Sequence, residues 1–163
     1  MSETPANVAP FYDGWENYQN LLITAIAPLT DEQLALRAAP HLRSIRENML
    51  HIIAVRARWF HMFMGEGGEN MAAIAVWDGK EAPARSASEM VSGLKQTMQL
   101  MQECLARWTP ADLEYIFKGT HPHYGEYNLS RQWVIWHVIS HDLHHGGEVS
   151  FMLGMHGLAA IGV

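Results

Sequence analysis

From Ser130 onward the chain reads as one long helix, apolar nearly all round, with histidines at every fourth position: His137, His141 and His145. Such a helix does not rest on a surface, because apolar residues on more than one face need cover from more than one direction. The rest of the chain, or a second subunit, must pack around it. Imidazoles four residues apart stand on nearly the same face, about 6 Å apart along the axis. Two of them can meet one metal ion through bonds of ~2.0–2.1 Å. His137 and His145 lie about 12 Å apart along the axis, too far to share an ion easily. Spacing therefore offers two pairs, His137 with His141 or His141 with His145, and does not choose between them. His141 with His144 is a poorer third arrangement.

Three further segments carry helical periodicity. Residues 9–27 repeat Trp15, Tyr18, Leu22 and Ile26 at three- and four-residue steps and stop before Pro28. A short turn of helix opens at Asp31, and Pro40 closes it. The second long helix begins at Ser44, where Ser44-Ile-Arg-Glu47 forms a capping box. It continues through Leu50, His51, Val55 and Trp59 to Phe63, and Gly65 ends it. Residues 65–85 hold Gly65, Gly67, Gly68, Gly79 and Pro83 and no long periodicity. A connection of that length can cross a bundle, so the next helix can run parallel to its predecessor. The third long helix starts at Ser86 or Ser88, with Ser86-Ala-Ser-Glu89 as a capping box, and runs to Trp108. Thr109-Pro110-Ala-Asp112 nucleates a further turn. Residues 114–129, rich in His, Gly, Tyr and Pro, read as irregular, with brief extended pieces at 114–118. The expected fold is all-α: a single domain over residues 1–163, a four-helix bundle with a long crossover between the second and third long helices, in up-down-down-up order.

A length of 163 residues suits one core. A net charge of −6 with Lys and Arg scattered along the helices argues against nucleic acid and anionic membranes as partners. The longest apolar run, 132–141, falls short of the ~18 residues of a membrane span. Met1–Pro10 lacks a basic start followed by an apolar run, so no signal peptide is expected and the cytoplasm is the default compartment. Cys104, the single cysteine, sits in an apolar-periodic stretch and reads as a small buried hydrophobe. Charged residues make up only 17% of the chain; with six tryptophans and the all-round apolar last helix, this points to a homodimer. Met49, Met62, Met98, Met101 and Met152 read as core. His121-Pro-His123 reads as a loop, His156 as exposed and Asp142 as a solvated helix residue.

A two-histidine site on one helix needs a donor from another. His51 is the best placed, mid-helix and flanked by Leu50, Ile52 and Ile53. An imidazole on such a stripe requires a polar partner. Known alternatives do not match. A di-iron bundle uses Glu-x-x-His motifs from two helices, whereas Glu47 and His51 are four apart and Glu148 follows its histidines. A zinc protease uses His-Glu-x-x-His, and the glutamate is missing from His141-Asp-Leu-His-His145.

His51 on the second long helix, followed far downstream by His141-x-x-x-His145-Gly, resembles the DinB/YfiT-like superfamily of metal-binding four-helix bundles over essentially the whole chain. There the last helix reads asparagine-His-x-x-x-His-Arg-Gly-Gln, which falls here on Ser140-His141-Asp-Leu-His144-His145-Gly146-Gly147-Glu148. The resemblance implies that His51, His141 and His145 hold one divalent metal ion, zinc or nickel, with iron(II) a further option. It sets His137 one turn above, behind the ligands or on the wall of a substrate cavity. Two positions depart from the pattern. Gly146 stands in place of the arginine, and adjacent glycines inside a helix cost about 1 kcal/mol each relative to alanine; close helix or substrate approach, or a bend, is the expected reason. Glu148 stands in place of the glutamine, and three roles are open to it: acceptor from a ligand, fourth ligand, or charged rim residue.

Characterised relatives in that superfamily include bacillithiol S-transferases and the mycothiol-dependent maleylpyruvate isomerase. The resemblance thus implies a metal-dependent enzyme whose open coordination position activates water or a low-molecular-weight thiol, of hydrolase or thiol S-transferase type, acting on a small molecule. His137, His144 and Glu148 are candidate catalytic residues, with Tyr12 and Arg58 for proton transfer or anchoring. The alternative is a non-catalytic stress-response or small-ligand-binding bundle whose metal is structural.

Overall fold

Serine and threonine oxygens set most of the helix starts. In the computed structural model, which describes residues 6–123 and 125–162, a 3-10 turn at Ala9–Tyr12 leads into α1, Asp13–Ile26. The expectation placed on Met1–Pro10 lies in part outside the described residues. Thr30, Ser44 and Ser86 each form a complete capping box, opening α2 (Asp31–Leu34), α3 (Ile45–Arg58) and α5 (Ala87–Arg107). Each box satisfies two backbone amides that the first helical turn leaves without partners. Ser130 accepts from the Trp133 amide and opens α6, Arg131–Met155. At its C-terminal end α3 widens into a π-helical turn, Trp59–Phe63.

Two elements differ from expectation. The crossover contains a short helix, α4, Gly68–Ile74, which Met71 and Ile74 anchor in the core. Seven residues are too few to show helical periodicity. Residues 116–121 and 125–130 pair as an antiparallel hairpin, β1 (Ile116–His121) with β2 (Gly125–Ser130), in a register that pairs Ile116 with Ser130 and Gly119 with Tyr127. The strands carry Lys118, Gly119, Glu126 and Asn128 rather than an apolar alternation, because the hairpin lies over the protein surface with one side partly covered. The described residues are therefore mostly helical with one small two-stranded sheet, which amends the all-α reading.

The core is built in two clusters. One gathers Leu22, Ile26, Ile45, Met49, Ile53, Leu94 and Val149 from α1, α3, α5 and α6. The other gathers Trp15, Phe60, Met98, Met101 and Val138 towards the hairpin. Cys104 is fully buried in the second cluster, and burial, aided by the Glu66 charge, pushes its thiol up to about 12. Met49, Met98, Met101 and Met152 are core residues as expected, but Met62 is 57% exposed. The π turn carries it off the buried stripe. Among the described residues no helix is long and apolar enough to cross a membrane.

Between the clusters lies a buried ion pair. Asp142 is fully buried on α6, contrary to its reading as a solvated residue. Its Oδ2 accepts from Nε of Arg56 on α3 at 2.8 Å and from the Trp15 indole on α1 at 2.7 Å. Nη2 of Arg56 lies 2.7 Å from the same oxygen, and Nη1 donates to Gln19 at 2.5 Å. Burial pushes the Asp142 carboxyl upward, while the Arg56 charge and both hydrogen bonds oppose it. Gly146, one turn further along α6, is where Tyr18 of α1 crosses: a Cβ there would collide with the tyrosine hydroxyl. This close approach accounts for the glycine at a position that the superfamily pattern gives to arginine.

Removing one member of a buried pair strands the other charge, at a cost of about 3–5 kcal/mol. Arg56→Ala is expected to lower the unfolding free energy by about that amount in urea titrations. A loss of less than ~1 kcal/mol, the range of an exposed pair, would show that the pair does not tie α1, α3 and α6 together.

Candidate metal centre

Three imidazoles from two helices converge beside this ion pair. His51 projects from the middle of α3, and His141 and His145 from successive turns of α6. Ring centres are 4.7 Å apart for His51 and His141, 4.9 Å for His51 and His145, and 4.4 Å for His141 and His145. One candidate ligand nitrogen from each lies within 4.8 Å of those of the other two. Imidazoles sharing one tetrahedral ion through bonds of ~2.0–2.1 Å have ring centres roughly 5 Å apart, so the observed spacing fits a single ion.

Carboxylates hold two of the rings from behind. Nδ1 of His51 lies 2.7 Å from Oδ2 of Asp78, and Nδ1 of His145 lies 2.7 Å from Oε2 of Glu148. Both contacts leave Nε2 of the ring for a cation, the arrangement that fixes ligand tautomer and orientation in metal sites. Asp78 is itself held by Arg58, whose Nη2 donates to Oδ1 at 2.5 Å and to the Ala75 carbonyl at 2.9 Å. Burial alone would raise the Asp78 carboxyl, but the His51 hydrogen bond and the Arg58 charge leave it below its usual range.

The third ring, His141, has a buried Nδ1 without a hydrogen-bond partner among the described residues. A buried polar atom left in that state is costly, and a cation bound by the cluster would be a counterpart. Burial, reinforced by the neighbouring His145, His51 and His137, depresses His141 to about 3. Burial also lowers His145, against the pull of Glu148. Both rings are thus biased towards the neutral form that a metal requires.

The cluster forms one end of a cavity of about 790 Å³. Its wall is aromatic. Trp59 and Phe63 stack at 4.1 Å on the π turn, His137 packs on Trp59 at 4.4 Å and Trp133 stacks on His137 at 5.1 Å. The hairpin supplies Tyr127, 5.1 Å from Phe63, and Leu129. A π turn adds a residue to the helix and commonly marks a functional site; here it brings Trp59 and Phe63 to the cavity.

The remaining sequence candidates fall in different places. His137 lines the cavity, and burial lowers it. Glu148 supports His145 with Oε2 and approaches the exposed His144 with Oε1 at 3.5 Å. His144 does not line the cavity. Arg58 does, while also holding Asp78. Tyr12 packs into the second core cluster, away from the cavity. His121 and His123, read as a loop, reach the cavity from the hairpin. His156 is exposed, as expected, and its Nε2 lies 3.1 Å from the Arg37 carbonyl. Sequence reasoning misses Asp78; its one signal is that it is the only acid in the stretch Met71–Gly79.

Below its unfolded value of 6.5, the unfolded chain takes up a proton on His141 that the native, metal-free protein refuses. Native stability should therefore fall as pH drops from 6.5 towards about 3, with no contribution from this group above 6.5. Urea midpoints of metal-free protein should decline more steeply across the acid range than those of His141→Asn. Parallel declines would contradict the assignment.

A model of the DinB family matches residues 1–163. No curated protein matches the chain. Among solved structures, a DinB-like protein from Bacillus cereus, a crystal structure at 2.01 Å resolution, superposes with a TM-score of 0.74. At 21% identity, covering 98% of this chain and 99% of that one, it is a likeness of fold.

Proposed function

Because the chain belongs to the DinB family, we propose that it is a metal-dependent enzyme in which His51, His141 and His145 bind one divalent ion, with a coordination position open to the cavity. The observation that carries this reading is the pairing of carboxylate-backed imidazoles with an adjoining cavity of about 790 Å³. A site that only clipped helices together would have no need of such a cavity, since structural metal sites are closed. Imidazole ligands suit zinc or nickel, with iron(II) a further option. When bound, such an ion would acidify a water or thiol at its open position. The proposed reaction is hydrolysis or transfer of a low-molecular-weight thiol, on a small-molecule substrate.

The chain's own residues have separable tasks. Asp78 and Glu148 orient His51 and His145 through Nδ1. Arg58 keeps Asp78 ionised and in place. His137, on the cavity wall and biased towards the neutral form, is positioned to accept a proton from a group bound there. Glu148, engaged with His145, is an orienting residue in this scheme rather than a fourth ligand.

The proposed architecture is the up-down-down-up four-helix bundle, formed by α1, α3, α5 and α6 with the connection through α4 as the crossover. The proposed compartment is the cytoplasm, whose reducing conditions suit the unpaired Cys104. On α6, Trp136, Leu143 and Phe151 stay exposed along one stripe and mark the proposed homodimer face. Light scattering should give twice the chain mass; the monomer mass would refute the dimer.

Protein purified without a His-tag should carry one metal ion per chain by elemental analysis, and His141→Ala should lose it. Asp78→Asn should keep the fold and weaken metal affinity by roughly 10–100-fold in a chelator competition. Normal metal content in His141→Ala would sink the ligand assignment. A metal-loaded protein that turns over neither thiol-dependent nor hydrolysable substrates would favour a structural ion.

A further inference from the structure

The wall beyond the metal cluster says what the cavity admits. Rings from three elements form one continuous surface: Trp59 and Phe63 on the π turn, His137 and Trp133 on α6, and Tyr127 on β2. Their mutual packing accounts for only part of their area. Trp133 remains 43% exposed and Met62 57% exposed, both on the cavity. Exposed aromatic area beside a polar centre is the usual composition of a small-molecule pocket, and about 790 Å³ suits a ligand of drug-like size.

Charge narrows the choice further. No acidic side chain is among the described residues that line the cavity. The two carboxylates nearest the cluster, Asp78 and Glu148, are turned onto the backs of His51 and His145. What lines the cavity beside the cluster is a set of imidazoles and Arg58, whose guanidinium is paired with Asp78, so the positive charge there would come from a divalent ion on the histidines.

We propose that the cavity takes an aromatic anion: a planar ring system lying against the Trp59–Phe63–Trp133 wall, with its anionic group directed towards the metal-holding histidine cluster. The placement of the anionic group rests on the metal reading above, whereas the placement of the ring rests on the wall alone. Stacking of a flat ring on an aromatic face is worth about 0.5–1.5 kcal/mol beyond its buried area. A saturated skeleton of the same size forfeits that part. A carboxylate, thiolate or phenolate headgroup shares the required charge.

The probe is naphthoate, compared with decalin carboxylate, acetate and the neutral naphthylmethanol, by calorimetry and tryptophan fluorescence on the full chain. On metal-loaded protein, naphthoate should bind ~2–10-fold tighter than decalin carboxylate and much tighter than acetate, and should quench tryptophan emission. The double variant Trp133→Leu, Phe63→Leu should lose the preference for naphthoate over decalin carboxylate while keeping its metal content. Should that variant not fold, the comparison of ligands on the wild-type chain decides. Naphthoate binding no tighter than decalin carboxylate, or a folded double variant with the preference intact, overturns the aromatic wall as the ligand surface. Loading metal should tighten naphthoate at least about tenfold, 1.4 kcal/mol, without comparable gain for naphthylmethanol; equal gains overturn the anionic headgroup. On metal-free protein the naphthoate preference over decalin carboxylate should persist, so the placement of the ring is tested even where the metal reading fails.

Discussion

The Arg56–Asp142 pair is the constraint on which the site depends. Arg56 lies five residues after His51 on α3, and Asp142 lies between His141 and His145 on α6. A buried carboxylate and guanidinium tolerate little sliding, because any shift leaves a charge without its counterpart. Locking those two residues therefore fixes the relative height of the two helices at the point where the imidazoles must meet. Trp15 and Gln19 extend the lock to α1, whose Tyr18 then closes over Gly146. Hydrophobic packing alone would hold the helices together but would specify their register less tightly, since apolar contacts lack direction.

Much of this is legible in the sequence because it repeats a period. Three of the long helices announce themselves through apolar spacing, two of them with serine caps as well, and the histidine ladder on the fourth marks the site's own face. What spacing cannot decide is which pair of the ladder serves. The structure brings His51 close to His141 and His145, leaving His137 on the cavity wall. Asp142 is hidden from sequence reasoning for a physical reason: an aspartate in a helix is usually solvated, and its partners Arg56 and Trp15 are 86 and 127 residues away. No local pattern encodes so distant a contact. Asp78 escapes for the same reason, reaching His51 from a connection without periodicity. The hairpin escapes because its strands lie on the surface, where burial does not impose an alternation.

Glu148 and Gly146, the two departures from the superfamily pattern, belong to different problems. Glu148 concerns the histidine cluster, as a charged acceptor at Nδ1 of His145 where the pattern has a neutral amide. An anionic acceptor makes the ring a stronger donor of electron density to a cation. Gly146 concerns packing, since its missing side chain is the space into which Tyr18 enters.

The hairpin and the histidine cluster are anchored independently. Arg131, at the start of α6, stacks over Trp108 and against Tyr115 and Phe117, and it donates to the Asp112 carbonyl, pinning the base of the hairpin. None of those contacts involves α3 or the three histidines. Beyond that base, none of the described strand residues is fully buried. Sequence change there alters the shape of the chamber without disturbing the helices that hold the histidines. Divergence between relatives in what they accept can thus proceed by exchanging strand residues 118–121 and 125–128, with the histidine cluster inherited intact.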